Sequence, residues 1–198
     1  MEKKNDRRTL YTRGVVKDAF LALIRNIPYD KINVTALCRE AEISRATFYL
    51  HFNNVDDVLD QVIDDALLFS DETSGTLLDM IWGFSTEDIC NADTLRQNEN
   101  LLPACQRIAD SDRYHALFMD SLVSSHIIHR IWRHERDSVV PVLMKRSGLS
   151  KDDAELLFRF MLYGTFAVNT GLGWKKDDRW FHTQNLLNRF INGGIKEI

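Results

Sequence analysis

The side chains best placed to do chemistry gather in one stretch, Asn33 to Phe52, which reads NVTALCREAEISRATFYLHF. What they offer is hydrogen bonding and methyl contact rather than bond making. Arg45 can hydrogen-bond guanine, and small or apolar neighbours such as Ala46 and Leu50, with Thr47 beside them, suit base edges or a thymine methyl. Thr35 is placed to reach a phosphate. Such groups must be held out by something rigid. Val34, Leu37, Cys38 and Ala41 follow the i, i+3, i+4, i+7 spacing of one buried helix face, with Asn33 as N-cap. Glu42-Ile43-Ser44 then breaks the pattern, and Ser44 can cap a second short helix over Arg45 to Phe52. Phe48 and Phe52, four apart, anchor its inner face and leave Arg45, Ala46, Thr47, Tyr49 and Leu50 toward the outside. Two short helices joined in this way form a helix-turn-helix candidate, whose second helix enters the DNA major groove.

The segment Thr47-Phe48-Tyr49-Leu50-His51-Phe52 closely copies a T-x-Y-x-H-F signature. Through it the chain resembles the DNA-binding domain of the TetR/AcrR family of bacterial one-component regulators, over about its first sixty residues. The resemblance implies that Tyr49 and His51 contact backbone phosphates and that a fourth helix transmits movement between head and body. It also implies a small-molecule effector bound in an apolar pocket between body helices. Two positions depart from the family pattern. Glu42 stands where a turn glycine is common, so a left-handed turn there would cost about 1 kcal/mol. Asn53-Asn54-Val55-Asp56-Asp57 stands where a lysine often opens the fourth helix.

Charge is distributed to match a nucleic-acid-binding head. The 198 residues carry a formal net charge of −4, yet residues 1–53 hold ten Lys/Arg against six Asp/Glu, leaving the remainder at −8. A basic module on an acidic body suits phosphate binding at one end of the molecule. Cys38, Cys90 and Cys105 are odd in number and form no C-x-x-C pair, so neither a disulfide framework nor a zinc site is expected. His126 and His129 lie three apart on an expected helix, but nothing nearby completes a ligand set, and no metal or cofactor is expected. No Ser/His/Asp arrangement or phosphate loop is recognisable, so the chain is not expected to be an enzyme. The charged N-terminus lacks a secretory apolar run, and Phe160–Trp174 falls short of a membrane span, so a cytoplasmic protein is expected.

The rest of the chain reads as helices throughout, so the fold class is all-α. The expected domains are a helix-turn-helix head over 1–54 and an effector-binding and dimerisation body over 55–198. The first dozen residues are expected to be mobile off DNA. A helix over about Thr12–Asn26 carries the stripe Val16, Ala19, Phe20, Leu23, Ile27, and Pro28 ends it. A longer helix runs from Val55 to about Phe69. A short helix over Thr76–Phe84 is followed by one opening near Asp93 or Thr94, with Pro103 as a possible kink. Helices follow over Tyr114–Met119 and Leu122–Met144, the second bent or interrupted at Pro141 and stopped at Gly148. Ser150 caps a helix to about Thr170, apolar nearly all round, and a last helix spans Asp178–Asn192.

Met80, Trp82, Phe84, Tyr114, Phe118, Met119 and Trp132 are the candidate lining of the effector pocket. Leu157, Met161, Gly164, Val168, Leu187, Phe190 and Ile191 are the candidate interface of a homodimer. The expected function is that of a homodimeric repressor released by its effector from a pseudo-palindromic double-stranded DNA operator. Its two heads would stand about 34–36 Å apart. The alternative is a co-regulator of the same fold that acts by binding a partner protein, suggested by Asp56 and Asp57 and by the modest +4 charge of the head.

Overall fold

A computed structural model describes residues 2–74, 92–97, 102 and 104–197. The expected Thr76–Phe84 helix, the pocket candidates Met80, Trp82 and Phe84, Cys90, Leu101 and the kink at Pro103 lie outside the described residues. Ten α-helices and no strand occur among the described residues. They are α1 (Glu2–Ile24), α2 (Val34–Glu40), α3 (Arg45–Tyr49), α4 (Val55–Ser74), α5 (Ala92–Gln97), α6 (Ala104–Asp110), α7 (His115–Met119), α8 (Ser124–Ser147), α9 (Lys151–Gly171) and α10 (Asp178–Glu197). Short 3-10 turns at Tyr29–Lys31 and Ser121–Val123 complete the described elements.

Local chemistry sets most of these boundaries. Asn33, Ser44 and Ser150 each accept the backbone N–H three residues ahead, from Ala36, Thr47 and Asp153. Gly148, at φ 71°, closes α8 and donates its N–H to the Met144 carbonyl. At the end of α9, Gly173 adopts φ 62°, donating to Thr170, while Trp174 donates to Asn169. These are the paired bonds of a Schellman stop.

Three expectations need correction. Helix α1 starts at Glu2 rather than near Thr12. Met1 to Arg13 contains neither proline nor glycine, and Lys, Arg and Glu are good helix formers, so charge alone does not end the helix. Pro141 does not interrupt α8, which continues unbroken from Ser124 to Ser147. Proline removes one N–H from the ladder, and the exposed position of its ring leaves the other turns to hold the helix. The segment after Asp93 is two helices, α5 and α6, rather than one.

α4 packs against α1 on one side and against α6 and α8 on the other; α8 also lies along α9, and α10 packs on α5, α8 and α9. Phe20, Leu37 and Phe48 in α1, α2 and α3, with Phe52 just after α3, join Leu59, Val62, Leu67, Ile108, Leu117 and Leu143 in one continuous apolar core. Helix α4 is thus the shared wall between the two ends of the molecule.

Candidate nucleic-acid interface

The turn between α2 and α3 is built from backbone bonds. Glu42 takes φ 52°, its N–H reaching Arg39, and the Ile43 N–H reaches Cys38. This is again a Schellman stop, with glutamate in the left-handed position where glycine fits best. Ser44 follows directly: its Oγ accepts the Thr47 N–H at 3.0 Å and lies 2.9 Å from the Thr47 hydroxyl. The stop of one helix and the start of the next are therefore two residues apart, which fixes the angle of α3.

Helix α3 is shorter than expected, five residues, but the Phe52 N–H still bonds to the Phe48 carbonyl and holds the chain in a helical turn through His51. Phe48 and Phe52 are buried with ring centroids 5.7 Å apart. Opposite them Arg45 and Ala46 are exposed, Tyr49 is 52% exposed and Leu50 79% exposed. Thr35 is exposed at the start of α2, while Thr47 and His51 are half-buried. All seven residues expected to meet DNA belong to this small scaffold, and Thr47 is the one whose hydroxyl already has an internal contact.

Arg13 is a residue that sequence reasoning missed. Its guanidinium lies over the Phe52 ring, 5.9 Å from the centroid, and Nη2 donates to the His51 carbonyl at 3.5 Å. It braces the end of α3 from α1. The pairing spans 38 residues, and no local pattern announces it.

The departure at Asn53–Asp57 has a structural explanation. The Asn54 side chain accepts the Asp57 N–H at 2.8 Å, and Asp57 accepts both the backbone and side-chain N–H of Asn53 at 3.0 Å. This reciprocal arrangement works like a capping box and opens α4. Burial acts to raise the Asp57 pKa, but the Asn53 and Gln61 hydrogen bonds, with Arg13 nearby, outweigh it and hold the carboxyl below its usual value. Asp56 accepts the Tyr29 hydroxyl. Burial and that hydrogen bond push the Tyr29 phenol well above its ordinary range, so it remains a donor.

Several of the head's ten cations are engaged internally. Lys17 pairs with Asp65, Lys31 with Asp30 at 3.2 Å, and Arg25 donates to the Asp112 carbonyl at 2.7 Å. Arg7, Arg8, Arg39 and Arg45 are exposed. The usable positive surface is smaller than the charge count implies, and it lies on α1, α2 and α3.

In the body, Tyr114, Phe118 and Trp132 are buried, but in three different contacts. Tyr114 meets Phe69, Phe118 meets Phe166 and Trp174, and Trp132 stacks on Phe158 with Arg159 above it. Met119, expected to line the pocket, is 47% exposed. It ends the short α7, where the chain turns at Asp120, and it borders an open surface groove with Arg25, Pro28 and His115. An apolar cavity among Ile63, Leu67, Ile108, Leu117, Phe118 and Ile131 has a volume of about 10 Å³.

The candidate dimer residues fall on two sides of their helices. Gly164 and Phe190 are exposed, whereas Leu157, Met161 and Ile191 pack partly on the core, and Val168 and Leu187 are half-buried. On these two helices the large apolar residues that face outward are the candidate Phe190 together with Leu156, Phe160 and Tyr163 on α9 and Leu186 on α10, each 53–67% exposed.

The two cysteines among the described residues are buried thiols. Burial raises Cys38, and it pushes Cys105 up to about 12. Neither supplies a thiolate nucleophile at neutral pH.

No protein-family model matches the chain. A curated relative, described as the uncharacterized HTH-type transcriptional regulator YxbF of Bacillus subtilis (strain 168), is 38% identical over 63 residues. That match spans 31% of this chain and 17% of the relative's length. Among solved structures, the dihydroxyacetone kinase operon activator DhaS superposes with a TM-score of 0.53 at 17% identity. It covers 96% of this chain and 98% of its own, which shows a shared fold. Both descriptions are of transcription regulators.

Proposed function

We propose that the chain is a TetR-like, homodimeric DNA-binding regulator that reads a pseudo-palindromic operator through α3. The observation that carries this is the exposed edge of α3. Arg45, Ala46, Tyr49 and Leu50 stand clear of a helix that is capped, stopped and anchored at every other side. A leucine 79% exposed beside a half-exposed tyrosine suits contact with methyl groups and a sugar–phosphate wall. Arg39, Arg45, Arg7 and Arg8 supply the sequence-independent attraction.

Repression is the proposed mode, with release by a small-molecule effector that parts α4 from α6, α7 and α8 around the small apolar cavity. Binding there would shift α4, and α4 carries the head. The partner-protein reading drew on Asp56 and Asp57 and on the modest +4 charge of the head. Both carboxylates already serve Tyr29 and the α4 cap, so this acidic pair no longer favours it.

Fluorescence anisotropy with the DNA upstream of the protein's own gene tests the proposal. The wild type is expected to bind with an affinity that falls as salt rises. Arg45→Ala should lose about 1–3 kcal/mol and relax preference at one base position. Absence of salt-dependent binding by the wild type would overturn the reading.

A further inference from the structure

Where α4 meets α8, Asp71, His134 and Glu135 each bring one ligand atom to a common point, with all three atoms within 4.8 Å of one another. None of the three takes part in the DNA-binding head. His134 Nε2 lies 2.8 Å from Asp71 Oδ2, and the imidazole keeps about a third of its side-chain surface in solvent, which leaves an entry path.

Glu135 makes this more than a surface ion pair. It is 4% exposed, and the hydrogen-bond contact offered to its carboxylate is the Ser138 hydroxyl at 3.4 Å. That hydroxyl has one proton, and it is directed to the Glu135 main-chain carbonyl at the shorter distance of 2.8 Å. Arg107 is near enough to influence Glu135 electrostatically, and its guanidinium donates to the Leu102 carbonyl and to Ser70. A carboxylate so buried keeps its charge beside a cation in direct contact and is otherwise neutralised.

We propose that Asp71, His134 and Glu135 form a divalent transition-metal site that ties α4 to α8. One imidazole nitrogen and two carboxylate oxygens are a ligand set suited to Zn²⁺, with a fourth position left to water or a small ligand. Tetrahedral ligation at about 2.1 Å places ligand atoms about 3.4 Å apart, so closure of the present cluster needs movements of about 1 Å in the side-chain arms. The metal takes Nε2 as an unprotonated donor, so a proton carried there passes to Nδ1 or to solvent, and the ion stands where His134 and Asp71 now meet. Neighbouring residues His134 and Glu135 differ in role: the exposed imidazole captures the ion, and the buried carboxylate holds it from below.

Equilibrium dialysis of EDTA-treated, full-length protein against Zn²⁺, and separately against Co²⁺ with its visible absorption as the readout, tests the site. One equivalent per chain is expected, with a rise in Tm on loading. Glu135→Gln and His134→Ala should each weaken binding at least tenfold, while His129→Ala on the same helix should leave it unchanged. No stoichiometric binding by the wild type, or wild-type affinity in either the Glu135→Gln or the His134→Ala protein when it remains folded by circular dichroism, would overturn the proposal. Metal binding is read without DNA, so its outcome is independent of the DNA-binding reading.

Discussion

Glu42 occupies a left-handed backbone position, φ 52°, at the stop of α2. A side chain there meets its own carbonyl, and glycine does not. Glu42→Gly is therefore expected to raise stability by about 1 kcal/mol, read as a shift in urea midpoint at unchanged slope. A loss of stability would show that the glutamate side chain contributes more than its backbone costs. Asp57 gives a pH-dependent counterpart. Its folded pKa lies below the ordinary aspartate value of 3.8, so its carboxylate contributes stability that is complete above that value and is lost as pH falls through the lowered pKa. Asp57→Ala should cost about 1 kcal/mol at neutral pH, the usual worth of a helix cap. The gap between variant and wild type should narrow in melts taken progressively below pH 3.8. The sequence made Glu42 legible, because a turn's demand on φ is local. It gave no hint that Asp57 would be a cap acceptor for Asn53, nor that Asp56 would receive Tyr29 from 27 residues away.

Elements were legible where their signals lay within one turn of chain. Asn33, Ser44 and Ser150 announced three helix starts, and the caps stand at those residues. What faces what was not legible. α9 is apolar nearly all round, and periodicity alone does not say which flank meets the chain's own core. The structure turns Ala154, Phe158, Leu162 and Phe166 inward and Leu156, Phe160 and Tyr163 outward, so the candidate interface residues Leu157 and Met161 lie on the flank between. The same limit hid the ladder between α4 and α8. Arg130 forks onto Asp64 and also reaches Asp60 at 3.8 Å, while His126 lies 3.2 Å from Asp60, all across some 66 residues of chain. Asp64→Ala should cost about 1 kcal/mol, kept small because the carboxylate is 40% exposed. A double-mutant cycle with Arg130→Ala checks it, and a coupling near zero would remove the ladder from the account of how α4 is held. Pro141 offers a contrast within α8. Pro141→Ala restores a missing N–H at an exposed position and is expected to stabilise by about 1–3 kcal/mol in thermal melts, and a lower Tm would show that the ring contributes more than the lost bond costs.

At the scale of the whole molecule, an operator with two half-sites requires two heads, and the chain supplies one. The outward faces of α9 and α10 are where a second copy would be joined. Phe160 is 62% exposed and Phe190 67%, with Leu156, Tyr163 and Leu186 beside them in sequence register. Large apolar side chains grouped on two adjoining helices are uncommon on a surface meant for water. Gly164 and Gly171 lie on the same outward side of α9, and a Cβ added at either meets nothing within 4 Å, so a partner backbone has room to approach. Light scattering after size exclusion is expected to give a mass twice the 23.0 kDa of the chain. Phe160→Glu combined with Phe190→Glu places four like charges across a two-fold interface and should give the monomer mass with the helical circular dichroism retained. Because each head then binds its half-site alone, operator affinity should fall by about 100-fold or more, while Arg45 still governs the preference at each half-site. A wild type that runs as a monomer would overturn the homodimer, and a double variant that remains a dimer would move the interface elsewhere and leave the outward aromatic face to another partner.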